Sequence, residues 1–171
     1  DNLISALIGL PAVGVSNGVP RLGINNVYYS DGPLGVREGK ATAHPSPLAV
    51  AASFNPELAY SVGKAIGNEV KNKGNDVVHA PTLDVVRIYT SGRVFETFGE
   101  DPYLVSQMGL EWMQGVESEG VIANAKHFAV YTQEGLIGVP LLPFSGIIGS
   151  RFFYNAPVSY THLRAHETSR Y

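Results

Sequence analysis

The residues best equipped for chemistry are Asp31, Asp84, the stretch Ser91 to Leu104, and the adjoining Lys126 and His127. The stretch reads SGRVFETFGEDPYL and sets Arg93 among Glu96, Glu100 and Asp101. Carboxylates in such a place invite a nucleophile or an acid–base role. Each residue also has a plainer use. Asp31 stands before Gly32 and Pro33 and suits a turn. His127 suits a hydrogen-bonded core position, and Arg93 suits an ion pair with Glu96 or Glu100 that contributes little at a surface. Asp101 followed by Pro102 reads as an N-cap and first helical residue, so the charge sits at the mouth of an element.

The elements that must position these groups follow from pattern. Val27 to Ser30 is a short β-branched and aromatic run, closed by the turn signal Asp31-Gly32-Pro33. Leu48 to Ser53 is apolar and fits a buried strand or a helical turn equally well. Asn55-Pro56-Glu57 opens a helix whose positions Leu58, Val62, Ile66 and Val70 form one apolar stripe, with Lys71 and Lys73 near its end and Gly74 as its stop. Val77 to Ala80 is a strand ended by Pro81. A second helix spans about Pro102 to Glu119, with Leu104, Met108, Trp112 and Val116 on one face and Gly120 as its stop. Val121 to Phe128 is a third strand that carries Lys126 and His127 at its far end. Strand, helix, strand, helix, strand argues for parallel strands with helices outside. Asp31, Asp84, Lys126 and His127 all fall at strand ends, the face that holds the chemistry in a β/α barrel. The expected fold is α/β, the N-terminal half of a truncated (β/α)8 TIM barrel. A doubly wound sheet is the alternative, but no GxGxxG follows a strand, so a dinucleotide fold lacks its phosphate loop.

Composition sets further bounds. The 171 residues suffice for one domain, and 44% hydrophobic with 16% charged residues argues against a disordered chain. A net charge of −3 without a basic block makes nucleic acid and anionic membrane poor partners. With no cysteine there is no disulfide framework, thiolate metal site or cysteine nucleophile. The apolar run Leu3 to Leu10 is too short to span a bilayer. Asp1 in place of Met implies a removed leader or a fragment.

The tail departs from this pattern. Val158 to Thr168 reads VSYTHLRAHET, with no amphipathic period. His162, His166 and Glu167 could be read as metal ligands, because histidines at i and i+4 share a helix face. The better account is that its back-translation looks like a transposase sequencing adapter read in one frame. Residues 158–171 are therefore set aside from fold and function, leaving 1–157 as the partial barrel. On this reading the chain is cut at its C-terminus, and its last strand presents an unpaired edge where the barrel should close.

Several motifs occur in order: DGPLGVR (Asp31 to Arg37), ATAHPSPLAVAASFNPELA (Ala41 to Ala59), APTLDVVR (Ala80 to Arg87), SGRVFETFGEDPYL, and AKHF (Ala125 to Phe128). From about Leu22 to Glu134 the chain resembles the N-terminal barrel of glycoside hydrolase family 3, which includes many β-glucosidases. The resemblance implies that Asp31, Arg93, Lys126 and His127 are substrate-binding and hold hydroxyls of the sugar in the −1 subsite. Chemically this is sensible, since a carboxylate and cationic donors around one ring can fix groups that both donate and accept. Glu96, Glu100 and Asp101 are expected to hold Arg93 and start the helix. Arg87 matches a family arginine in a supporting role, and His44, where the family often has an aromatic residue, is given none.

The resemblance also shows what this chain lacks. A retaining glycosidase needs a carboxylate nucleophile and a second carboxyl about 5–5.5 Å away. The family's nucleophile is an Asp on a later strand, commonly in a Ser-Asp-Trp context, and its acid/base usually comes from a second α/β domain. Neither has a counterpart here, so no residue is assigned as catalytic and the chain alone is expected to be inactive. GLIGVPLLPFSGIIGSRFF, after Glu134, holds no assignable catalytic residue. HFAVYTQEG follows Lys126 where the acetamido-sugar branch usually has KHFPGHG, which favours a β-glucosidase or β-xylosidase over a β-N-acetylglucosaminidase. The expected parent is a β-glucosidase-like retaining exo-hydrolase of a β-linked glucoside or oligosaccharide, without metal or cofactor. A non-catalytic carbohydrate-binding homologue is the alternative. The compartment stays open, with a periplasmic or secreted location favoured over the cytoplasm.

Overall fold

The computed structural model describes residues 14–127 and 131. Four strands form one sheet in the order β1 (Val15–Ser16), β2 (Val27–Asp31), β3 (Val77–His79) and β4 (Ile122–Ala123). β2, β3 and β4 are parallel, with Asp31 opposite His79 and Val78 opposite Ala123. Between them run α1 (Pro47–Ala51), α2 (Pro56–Asn72) and α3 (Pro102–Glu117). Parallel neighbours in chain order, joined through helices, are successive β/α units of a partial (β/α)8 barrel. β1 pairs antiparallel with β2, Val15 opposite Tyr28, and no sequence signal had marked it.

Local chemistry accounts for the helix ends. Asn55 Oδ1 accepts from the Leu58 amide at 3.3 Å, and Asp101 Oδ1 accepts from the Tyr103 amide at 2.9 Å. Each cap satisfies an amide that has no partner within its helix and contributes about 1 kcal/mol. Beyond α2 and α3, Gly74 (φ 80°) and Gly120 (φ 79°) adopt the left-handed conformation that turns the chain toward the next strand. The ambiguous Leu48 to Ser53 run resolves as helix, with Ser46 capping α1 through the Ala49 amide.

The core lies between the sheet and the helix layer. Ile66, Val70, Val78, Phe98, Met108, Trp112 and Val116 are all essentially inaccessible to solvent. Each such side chain is worth about 1.5–3 kcal/mol in water-excluded area. Glycine sets the α2–α3 distance. A Cβ on Gly63 would lie 2.0 Å from the Trp112 carbonyl oxygen, and one on Gly115 would lie 2.2 Å from that of Tyr60. This close approach shifts the buried stripe of α2 to Ala59, Val62, Gly63, Ile66, Gly67 and Val70. Leu58, expected on it, is 42% exposed in the first turn.

β4 is shorter than the run Val121 to Phe128 suggested, because regular pairing ends at Ala123; Phe128 itself lies outside the described residues. Pro81 in the facing chain has no N–H to donate, which interrupts the ladder. The backbones stay together by separate bonds: Asn124 N to Val78 O at 2.9 Å, Lys126 N to Pro81 O at 2.9 Å, and Leu83 N to Lys126 O at 2.7 Å. The result carries Lys126 and His127 to the strand ends where Asp31 stands.

Candidate functional site

Asp31 is the last residue of β2, and its two carboxylate oxygens are divided between two cations. Lys126 Nζ donates to Oδ1 at 2.6 Å, and Arg37 Nη1 donates to Oδ2 at 3.0 Å. Lys126 arrives from the segment just beyond β4 and is as shielded as Asp31 (side chains 15% and 13% exposed), whereas Arg37 is 64% exposed. Burial of the Asp31 carboxyl pushes its pKa up. The hydrogen bonds and positive charges of Lys126 and Arg37 together outweigh that and hold it below the ordinary 3.8. It is therefore an anion that accepts hydrogen bonds.

A second polar group lies beside it. His127 Nδ1 is 2.7 Å from Asp84 Oδ2, which also accepts the His127 amide at 3.0 Å. Asp84 Oδ1 accepts the Tyr131 amide at 2.7 Å. The Tyr131 ring then meets the His127 ring at a centroid distance of 4.5 Å and the Arg93 guanidinium at 5.3 Å. Arg93 is held by both oxygens of Glu96, Nε at 3.0 Å and Nη2 at 2.6 Å. Arg93, His127, Asp84, Tyr131 and Thr82 line one recess. Asp31 and Glu96, with Arg37 and Phe95, line an adjoining cleft of about 390 Å³.

The structure therefore brings Asp31 and Lys126 into direct contact and sets Arg93 and His127 around a common aromatic ring. The expected support for Arg93 divides unevenly. Glu96 braces it and Asp101 caps α3, but Glu100 bonds the Tyr89 hydroxyl instead. Asp84 was marked in the sequence only as a polar group at a strand end, and Arg37 and Tyr131 had no task there. Asp84 did carry a signal, since a carboxylate amid Leu83, Val85 and Val86 is bound for a buried position and must find donors there. Tyr131 offered none, because only folding sets it against Asp84.

Chemically, the rim offers an anionic acceptor, cationic donors and an imidazole, a set that can both accept and donate hydrogen bonds. Asp31, Asp84 and Glu96 are each held by cations or N–H groups, which suits gripping rather than nucleophilic attack. Among the described residues no group of three or more His, Cys, Asp or Glu could hold a metal, and no helix is long and apolar enough to cross a membrane. His162, His166 and Glu167 lie outside the described residues.

Parallel β/α units with polar and charged side chains gathered at the strand ends define part of a β/α barrel. Residues 20–145 match the model of the glycosyl hydrolase family 3 N-terminal domain, and the chain belongs to that family. It is 41% identical over 133 residues to β-glucosidase BoGH3A of Bacteroides ovatus, covering 70% of this chain and 18% of that protein. Against β-glucosidase A of Aspergillus kawachii the identity is 41% over 124 residues, covering 71% of this chain and 14% of the relative. Among solved structures, β-glucosidase 3B from Thermotoga neapolitana in complex with glucose superposes with a TM-score of 0.70 at 38% identity, over 71% of this chain and 18% of that one. DesR, a β-glucosidase from Streptomyces venezuelae in complex with D-glucose, gives 0.69 at 39% identity, over 71% and 16%. The chain thus spans less than a fifth of the length of these relatives.

Proposed function

We propose that this chain is the sugar-gripping N-terminal part of a β-glucosidase-like retaining exo-hydrolase. Asp31, Lys126, Arg93 and His127 hold the hydroxyls of a β-linked glucosyl unit in the −1 subsite. The observation that carries the reading is the Asp31–Lys126 contact at 2.6 Å, made by residues from two different strand ends and shielded from solvent. Neither is spent as an ordinary surface pair would be. A sugar hydroxyl that donates to Asp31 and accepts from Lys126 replaces part of that contact without leaving either charge unpaired. Two of the superposing β-glucosidases are complexes with glucose, which supports glucose as the glycone.

The grip serves catalysis by tightening as the ring flattens toward an oxocarbenium-like state, an effect worth several kcal/mol in glycosidases (about that size). The nucleophile and the acid/base come from other parts of the full-length protein, and residues 1–157 alone bind sugar poorly and do not cleave it. Residues 158–171 are an adapter translation in this reading, and resequencing across the Pro157 codon tests that directly.

The functional test uses the full-length parent with aryl β-glucoside, β-xyloside and β-N-acetylglucosaminide. Turnover of the glucoside is expected first, and a parent inert on all three is a binding protein instead. Asp31→Ala or Lys126→Ala is expected to lower kcat/KM by about 10²-fold or more, roughly 2.7 kcal/mol of transition-state stabilisation. A change under about threefold returns both residues to a purely structural role.

A further inference from the structure

We infer that Asp84 is a positioning residue that sets the ring of His127 and, through Tyr131, the plane against which Arg93 lies. The inference rests on the sugar-binding reading of His127 and Arg93, and assigns them a shared support.

The case begins with burial. The Asp84 side chain is 2% exposed, and a carboxylate so placed needs compensating donors. It has the His127 amide, His127 Nδ1 and the Tyr131 amide, at 3.0, 2.7 and 2.7 Å. A carboxylate can only accept, so the imidazole proton must sit on Nδ1. In the neutral ring that leaves Nε2 as an acceptor for a sugar hydroxyl, and in the protonated ring as a donor to one. Without Asp84 neither the ring angle nor the tautomer is specified, and Nε2–H, the form that dominates in free histidine, returns.

The same carboxylate reaches further. By holding the Tyr131 backbone it locates a residue that is 9% exposed and whose ring touches both His127 and Arg93. Arg93 is also fixed by the two bonds it donates to Glu96. Two ligand-facing cationic or imidazole groups, from separate parts of the chain, are thereby referred to one buried anchor. Their separation is then set by packing rather than by two flexible side chains, which lowers the ordering cost when the sugar binds.

Nuclear magnetic resonance of the imidazole nitrogens and kinetics on the full-length parent test this together. In the wild type the neutral His127 ring should carry its proton on Nδ1, and in Asp84→Ala the Nε2–H form should predominate. Kinetically, Asp84→Ala should lose about 10- to 100-fold in kcat/KM, no more than His127→Ala with Arg93→Ala combined. Adding Asp84→Ala to His127→Ala should cost less than it does in the wild type, since part of its target is already gone. Should Asp84→Ala fail to fold, the tautomer of the wild-type ring still decides the inference, because that measurement needs no variant at Asp84. A wild-type ring protonated on Nε2, or losses that multiply in the double variant, overturns the inference. The tautomer measurement stands even if the parent cleaves no glucoside, so the two readings fail separately.

Discussion

The α2–α3 contact and the polar rim at the strand ends are both places of close approach, built from opposite materials. Between the helices, closeness is obtained by removing side chains: Gly63, Gly67 and Gly115 let backbone meet backbone. At the rim, closeness is obtained by opposite charge and shared protons, as in the contact of Lys126 with Asp31 and of His127 with Asp84. The first has no adjustable part, and any added atom must displace a carbonyl. The second is a set of acceptors and donors already near hydrogen-bond distance, able to exchange a protein partner for a hydroxyl. A rigid layer therefore holds an exchangeable one, which is what a site needs if its geometry must survive ligand binding.

The contrast can be broken at its stiff side first. Gly63→Val places its new Cβ 2.0 Å from the Trp112 oxygen, so the helices must separate and expose the Trp112 seam. A stability loss of about 3 kcal/mol or more is expected in urea unfolding. A loss below about 1 kcal/mol would mean that the helices slide freely and the contact is not rigid.

Acid should act on the other side with a smaller effect. The Asp31 carboxyl titrates below 3.8 in the folded chain, so in that window the unfolded state binds more protons. Its contribution to stability is complete above the unfolded value and is lost as pH falls through the lower folded one. Stability measured against pH should therefore fall less steeply below about 3.8 in Asp31→Asn than in the wild type. Equal slopes would show that Lys126 and Arg37 do not hold the carboxylate in solution.

The smallest effect sharpens the rim itself. Arg37 is 64% exposed, so Arg37→Ala should cost no more than about 0.5–1 kcal/mol while Lys126 keeps its hold on Asp31. The same denaturation assay measures it, and a larger loss would move Arg37 from the rim of the site into its frame.

The local signals in the chain were sufficient for much of this. Asn55-Pro56 and Asp101-Pro102 announce helix starts because capping is decided within a turn. The order of the main strands and helices follows from periodicity, and the motifs from DGPLGVR to AKHF name the family. These properties depend on neighbours in sequence. Others do not. That Leu58 is exposed while Gly63 is buried depended on how nearly α3 approaches, which no period in α2 contains. That Glu100 serves Tyr89 rather than Arg93 depended on the path of the loop between them. The sequence by itself determined the two long helices, the parallel strands between them and the family. Only the tertiary structure decided that Asp84 anchors His127 and Tyr131, because a buried carboxylate takes the donors that folding sets beside it, 43 and 47 positions along the chain.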